Sequence, residues 1–259
     1  MKFFIHKELF FMFVLRDFKT MYKQTILGPL WVIINPLVTS FVFIIVFNKI
    51  GNISTGDIPS FLFYFLGISL WNFLQANIIQ ISNFYNANSG LFAKVYFPRL
   101  VIPFSYLLNN LFKFFIHCFI FFLFCFFIFN LKLDINFNSI LIILYVLTYV
   151  VLFSFFLGIL INAFSFIIKD FSYIITYVLN VLLFLTPVIY SVSSAPDKYK
   201  NFLIFNPMSP IFELFRYAIF NLGEINFFSI SASIFFLLVL IVIGSFFYKI
   251  TEQNFIDTV

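Results

Sequence analysis

Residues 101–129 run for 29 positions with a single charged side chain, Lys113. A helix needs about 20 apolar residues to cross the hydrocarbon of a bilayer, and this stretch exceeds that. Comparable charge-free stretches occupy 31–47, 61–81, 140–168, 173–192 and 228–248. A chain of 259 residues cannot bury six such segments in one water-soluble core. The pattern predicts one all-α integral membrane domain over 1–259 with six transmembrane helices.

The composition agrees: 63% of residues are hydrophobic and 10% are charged, against roughly 25% charged in a soluble domain. The 47 phenylalanines exceed what core packing requires, and a nucleotide bias towards Phe, Ile, Asn, Lys and Tyr accounts for part of them. The net charge of +5 reads as juxtamembrane Lys and Arg beside anionic lipid, with no nucleic acid as partner. Cys118 and Cys125 share one apolar run; on a helix they lie about 10 Å apart, too far for a disulfide. They read as buried apolar residues. Arg16-Asp17 follows the short apolar stretch 9–15 with no small-residue cleavage site, so no cleavable signal peptide is expected.

Residues 1–24 are too charged to span. Val14, Phe18, Met21 and Tyr22 fall on one helical face and Arg16, Lys19, Thr20 and Lys23 on the other, as in a helix lying in the membrane interface. We assign 1–27 to this interfacial segment, with Gly28-Pro29 breaking the chain before the first span. With the N-terminus inside, the cytoplasmic segments hold nine basic residues: Lys2, Lys7, Arg16, Lys19, Lys23, Lys94, Arg99, Lys169 and Lys249. The outer segments hold five: Lys49, Lys132, Lys198, Lys200 and Arg216. This excess predicts a multi-pass protein of the cytoplasmic (inner) membrane with both termini in the cytoplasm. The outer segment 193–226 contains Asn206-Pro207-Met208-Ser209-Pro210. Ser209 suits an N-cap and Pro210 the first helical position. A short helix over 211–220 with a Glu213–Arg216 pair is expected, lying re-entrant or on the outer surface.

No phosphate-binding loop of the G-x-x-x-x-G-K-[ST] type occurs, so ATP, if used, is hydrolysed by another chain. The ten acidic residues are single and lie almost entirely in loops. Their absence from the spans argues against a proton-coupled carrier and against a glycosyltransferase with clustered metal-binding acids. Lys113, with His117 one turn later on the same face, either faces a polar cavity or packs against a carbonyl or hydroxyl between helices. Trp31, Trp71, Tyr22, Tyr85, Tyr96 and Tyr190 are expected near span ends, as an interfacial belt or as platforms for sugar rings.

Three stretches carry a family resemblance. The first is Tyr22-Lys23-Gln24-Thr25-Ile26-Leu27-Gly28-Pro29-Leu30-Trp31, followed by Asn35-Pro36-Leu37. The second is Lys94-Val95-Tyr96-Phe97-Pro98-Arg99, followed by Pro103. The third is Asn206-Pro207-Met208-Ser209-Pro210 with Glu213 and Arg216. In order and spacing the chain resembles the permease of type-2 ABC transporters that export lipid-linked O-antigen, capsular polysaccharide or teichoic acid. The resemblance implies a homodimer of six-helix permeases, bound to two copies of a separate ATPase that uses ATP and Mg, while this chain binds no cofactor. It implies that segment 83–99 couples to the ATPase through Lys94, Tyr96, Phe97, Pro98 and Arg99. It also implies that the N-terminal helix sits at the cytoplasmic entrance. On that reading Arg16, Lys19 and Lys23 receive the anionic headgroup of a lipid-linked glycan. Trp31, Lys113 and His117 border the pathway, and segment 193–226, with Pro207, Pro210, Glu213 and Arg216, forms an outer gate. A membrane-embedded glycolipid enzyme and an ATP-independent channel stay open as alternatives.

Overall fold

A computed structural model describes residues 7–22, 26–92, 94, 97–131, 133–168, 170–223 and 226–258. Most of these residues are helical, with no strand among them. Helix α1 covers Lys7–Tyr22 and a 3-10 turn, Gly28–Leu30, leads into α2, Trp31–Phe43, which continues as a π-helical stretch, Ile44–Ile50. Then come α3 (Ser60–Ser82), the short α4 (Phe84–Ala87) and α5 (Ser89–Phe92), and α6 (Val101–Leu123) with a π-helical end, Phe124–Ile128. The remaining helices are α7 (Phe137–Ile167), α8 (Asp170–Leu185), α9 (Asp197–Phe205), α10 (Ser209–Phe220) and α11 (Phe227–Thr258).

Helix α3 is the hub, enclosed over most of its length by α2, α6, α7, α8 and α10. Close approach explains its seat on α7: a Cβ on Gly158 would lie 2.7 Å from Ile81 Cβ. Below that contact Asn162 Nδ2 donates to Ser82 O at 3.0 Å. Helix α11 closes on α7 at a second glycine, Gly244, against Phe156. Outside this core the bundle is apolar all round, with Val38, Phe41, Phe119, Phe127, Tyr177, Phe235 and Val242 exposed. A soluble monomer does not expose apolar surface on this scale, and lipid is the solvent that matches it. The chain is a multi-pass membrane protein.

Five helical stretches among the described residues are long and apolar enough to cross: Gly28–Ile50, Ser60–Ser82, Val101–Ile128, Phe137–Ile167 and Phe227–Gln253. The expected fifth span, 173–192, differs. Helix α8 has 16 residues, about 24 Å at 1.5 Å per residue, short of the roughly 30 Å of hydrocarbon. Pro187 has no N–H to continue it, and Val188 and Ile189 turn back into the core against Gly67. Trp71, expected near a span end, lies instead in the middle of α3, buried and 6.2 Å from the Phe212 ring. Tyr85 is likewise buried.

The amphipathic α1 packs along the first half of α6. Its most buried side chain is Phe13, which the helical-face reading omitted, set 5.3 Å from the Phe97 ring. Phe18 meets Phe112, Ser105 Oγ donates to Asp17 Oδ2 at 3.3 Å, and Asn109 Nδ2 donates to Val14 O at 3.3 Å. The side chains of Met21 and Tyr22 lie outside the described residues.

Candidate functional site

Polar side chains gather inside the bundle between α2, α3 and α6. Three residues singled out from the sequence, Trp31, Lys113 and His117, line one cleft there, about 290 Å³ in volume, with Asn35, Asn72, Gln75 and Asn110. The helical spacing of α6 puts Asn110, Lys113 and His117 on one face. Lys113 Nζ donates to Asn110 Oδ1 at 3.1 Å. Asn110 Nδ2 in turn donates to Asn77 Oδ1 at 2.8 Å and to Gln80 Oε1 at 3.0 Å. His117 Nε2 bonds Val32 O at 2.9 Å, so α2 is pinned to α6 where the first span begins. The sequence marked the two basic residues; the amides Asn77, Gln80 and Asn110, scattered over two helices, carried no local signal that they would meet.

On the opposite side, α9 and α10 form a helical hairpin. Its turn is built by Asn206, whose Oδ1 accepts from Met208 N at 3.0 Å and whose Nδ2 reaches Thr186 Oγ1 at 3.2 Å. Ser209 is not the N-cap: it is the first helical residue, buried, and its hydroxyl has no partner among the described residues. Pro210 sits in the first turn, as expected. Pro207 O accepts from Tyr149 Oη at 3.3 Å, which fixes the turn to α7. Helix α10 is no surface helix, for Ile211, Phe212, Phe215, Arg216 and Ala218 are all buried.

Arg216 organises this region. Its guanidinium donates to the carbonyls of Pro187 (2.5 Å), Val188 (2.8 Å) and Tyr190 (3.2 Å) and lies 4.0 Å from the Phe63 ring centroid. Glu213 Oε1 accepts from Arg216 at 3.4 Å and from Val192 N at 2.9 Å. The pair was legible from its i,i+3 spacing; that it satisfies the irregular backbone after α8 was not. Beside the hairpin a larger cavity, about 410 Å³, is lined by Lys200, Ser209, Glu213, Asn226 and Ser229 among others.

In segment 83–99, Lys94 is exposed, Pro98 is half-buried, and Tyr96 lies outside the described residues. Phe97, expected in the segment that couples to the ATPase, is buried between Phe13 and Phe92, with ring centroids at 5.3 and 5.4 Å. Arg99 Nη1 donates to Glu252 O at 2.8 Å, tying the segment to α11, and its guanidinium lies 6.0 Å from the Tyr85 ring. Burial pushes the Tyr85 phenol up to about 12, so it stays neutral beside Arg99. On α1 the expected basic face is divided. Arg16 pairs with Asp17 at 2.6 Å and reaches Asn88 Oδ1 at 3.5 Å, Lys19 is exposed, and Lys23 lies outside the described residues.

The fold and the cleft together define a multi-pass helical membrane protein with a cationic, amide-lined recess inside its bundle. Residues 8–220 match the family described as ABC-2 type transporter. The chain belongs to that family. It is similar to two proteins from Klebsiella pneumoniae named O-antigen export system permease protein RfbA. One is 24% identical over 230 residues, covering 88% of this chain and 86% of the relative; the other is 23% identical over 243 residues, covering 92% and 91%. A protein of the same name from Myxococcus xanthus is 24% identical over 208 residues, covering 78% of this chain and 76% of the relative.

Proposed function

We propose that this chain is the membrane-spanning subunit of an ATP-driven exporter that moves a lipid-linked, O-antigen-like polysaccharide from the cytoplasmic to the outer face of the membrane. Its near full-length similarity to O-antigen export permeases carries this reading. ATP and Mg are used by a separate nucleotide-binding subunit, a reading supported by the lack of a G-x-x-x-x-G-K-[ST] loop in this sequence. The assembly contains two copies of the permease, with both termini cytoplasmic. Helix α8 and the irregular residues 186–192 make the fifth crossing, and the α9–α10 hairpin is re-entrant from the outer face. Non-helical backbone at membrane depth is tolerated where protein satisfies it, and Arg216 and Glu213 supply that satisfaction here. The hairpin forms the outer gate and the α1 side of the bundle the cytoplasmic entrance. Segment 83–99 receives ATPase motion, with Lys94 exposed towards the partner and Phe97 and Arg99 bracing the segment on α1 and α11.

The test is to ask whether a neighbouring reading frame encodes a Walker-type ATPase and to co-express that protein with this chain. A stable complex that co-purifies with lipid-linked glycan, seen by mass spectrometry, is the expected result. Failure to bind any such ATPase, together with normal surface glycan in cells lacking this chain, would sink the exporter reading.

A further inference from the structure

The cavity of about 410 Å³ beside the hairpin lies between α9, α10 and the start of α11. Among the described residues that line it there is one cation, Lys200 on α9, and one anion, Glu213 on α10. The Glu213 side chain keeps 17% of its surface. Its bonds to Arg216 and to Val192 N both fall on Oε1, so Oε2 is the oxygen that remains for a ligand. Arg216 itself is spent on the carbonyls of Pro187, Val188 and Tyr190. Asn226 is exposed and gives Oδ1 to the N–H groups of Phe228 and Ser229 at the start of α11, which leaves Nδ2 as a donor. Ser229 Oγ donates to Ile204 O at 3.1 Å and ties α11 to α9 there. Leu203, Leu214 and Ile230 supply apolar wall, and no aromatic side chain is among the described lining residues, so a sugar ring has no platform to stack on. Next to the cavity Phe205 and Phe228 are both exposed, with ring centroids 6.3 Å apart. In the topology given above, the first turn of α11 stands at the outer headgroup level.

We propose that this cavity binds the headgroup of a zwitterionic phospholipid with a primary ammonium, phosphatidylethanolamine, from the outer leaflet. Lys200 and the Asn226 amide donate to the phosphate, and Glu213 Oε2 accepts from the ammonium. Such charge-assisted bonds are roughly twice as strong as neutral ones. The acyl chains leave over the exposed rings of Phe205 and Phe228. The volume falls within the range of small-molecule sites, about 300–1,000 Å³. A purely anionic headgroup brings no cation to the carboxylate, and a choline headgroup has no N–H to give it. Seated there, the headgroup touches α9, α10 and α11 together and holds the hairpin against the last span. The binding does not need the exporter function; only its assignment to the outer leaflet uses the topology proposed with that function.

Full-length permease, stripped of lipid in detergent, is titrated with phosphatidylethanolamine, its N-methylated and N,N-dimethylated forms, phosphatidylcholine and phosphatidylglycerol, and the first lipid retained is read by native mass spectrometry. The expected result is saturable retention of phosphatidylethanolamine that weakens with each methyl group. Phosphatidylcholine and phosphatidylglycerol should bind at least about tenfold more weakly, the loss of one charge-assisted hydrogen bond. K200Q is expected to weaken phosphatidylethanolamine binding about tenfold to a hundredfold, and K200R should stay within about threefold of the parent. N226D keeps the oxygen that caps α11 but turns the donor into an acceptor, so it too should bind at least about tenfold more weakly. Neither side chain is buried, so both variants should melt like the parent in lipid-free detergent; if K200Q does not, N226D carries the test. Phosphatidylethanolamine should raise the melting temperature of the parent above its value in phosphatidylcholine, and the variants should lose that difference. Equal retention of phosphatidylethanolamine and phosphatidylcholine overturns the proposal, as does equal retention of phosphatidylglycerol, or parental affinity in a folded K200Q or N226D. Each of these failures leaves the exporter function standing, since that function is tested by the complex with the ATPase.

Discussion

Arg216 offers the sharpest test of how this fold holds its irregular backbone. The guanidinium is 3% exposed and donates to three carbonyls of the stretch that follows α8, while pairing with Glu213. Those carbonyls turn into the core against α3 and have no helix to satisfy them. Replacing Arg216 with Gln removes the charge and most of the donors, leaving buried carbonyls and the Glu213 carboxylate without their partner. Breaking a buried charge pair from one side costs about 3–5 kcal/mol, and we expect R216Q to destabilise by that amount. R216K keeps the charge but not the planar fork, so it should recover about half. E213Q keeps an oxygen for Val192 N–H but leaves the buried Arg216 without its counter-charge, so it too should destabilise, by about 3 kcal/mol. The measurement is the apparent melting temperature of detergent-solubilised protein by size-exclusion chromatography after heating. A fall of roughly 10 °C is expected for R216Q, together with protease cleavage appearing within 186–196. If R216Q and R216K both melt within about 2 °C of the parent, the guanidinium is not what holds this backbone, and the reasoning fails.

Three further outcomes follow from contacts elsewhere. At Gly158 a Cβ would meet Ile81 Cβ at 2.7 Å, so G158V should cost about 1–3 kcal/mol by overpacking; G90A, at a glycine with nothing within 4 Å, is the neutral control in the same melting assay. Phe97 fills the space between Phe13 and Phe92, and F97A should cost about 3 kcal/mol; unchanged melting and unchanged ATPase association would refute both its packing and its coupling role. Gly28 has φ +49° with open space around it, so G28N should be tolerated while G28V is strained by about 1–2 kcal/mol. Equal substrate-stimulated ATPase activity in G28N and G28V would show that the backbone turn there does not matter.

The long spans were legible because apolar runs of this length have one physical use, and α2, α3, α6, α7 and α11 lie close to where hydropathy put them. The early end of the helix in the fifth was not legible, because a sliding apolar window cannot see that Pro187 ends the helix, or that a buried arginine 29 residues later donates to the returning backbone. Residues 187–192 look as apolar as a span precisely in composition, but their backbone is satisfied by side chains rather than by a helix. The site was legible in part. Lys113 and His117 stood out as ionisable residues in a span, and Trp31 came through the family resemblance. Phe97 stood out because an aromatic residue next to Pro98 and Arg99 has the composition of an interface anchor; its packing on Phe13, more than eighty residues away in sequence, was not legible, since no local pattern announces that contact.

The contacts also divide the molecule mechanically. Phe13 and Phe92 clasp Phe97, Asp17 and Val14 bond to α6, and Arg99 bonds to α11. Segment 83–99, α1, α6 and the end of α11 therefore move as one piece when the segment is pushed. Helix α3 belongs to the same piece through Asn110, Asn77 and Gln80. Helix α2 is held differently: of its residues only Pro36 and Ser40 are buried, it packs on α3 through apolar contacts such as Phe43 against Tyr64, and its described polar tie to α6 is the single bond from His117 to Val32 O. Two walls of the polar cleft are thus fixed to the segment proposed to meet the ATPase, and the third wall joins α1 through the turn at Gly28. A displacement of that segment is expected to change the cleft by opening or closing α2, with the hydrogen bond at His117 broken or made in the process. G28V, which strains the joint at Gly28 without touching the cleft, is expected to alter that displacement while leaving the Asn110–Asn77–Gln80 contacts intact.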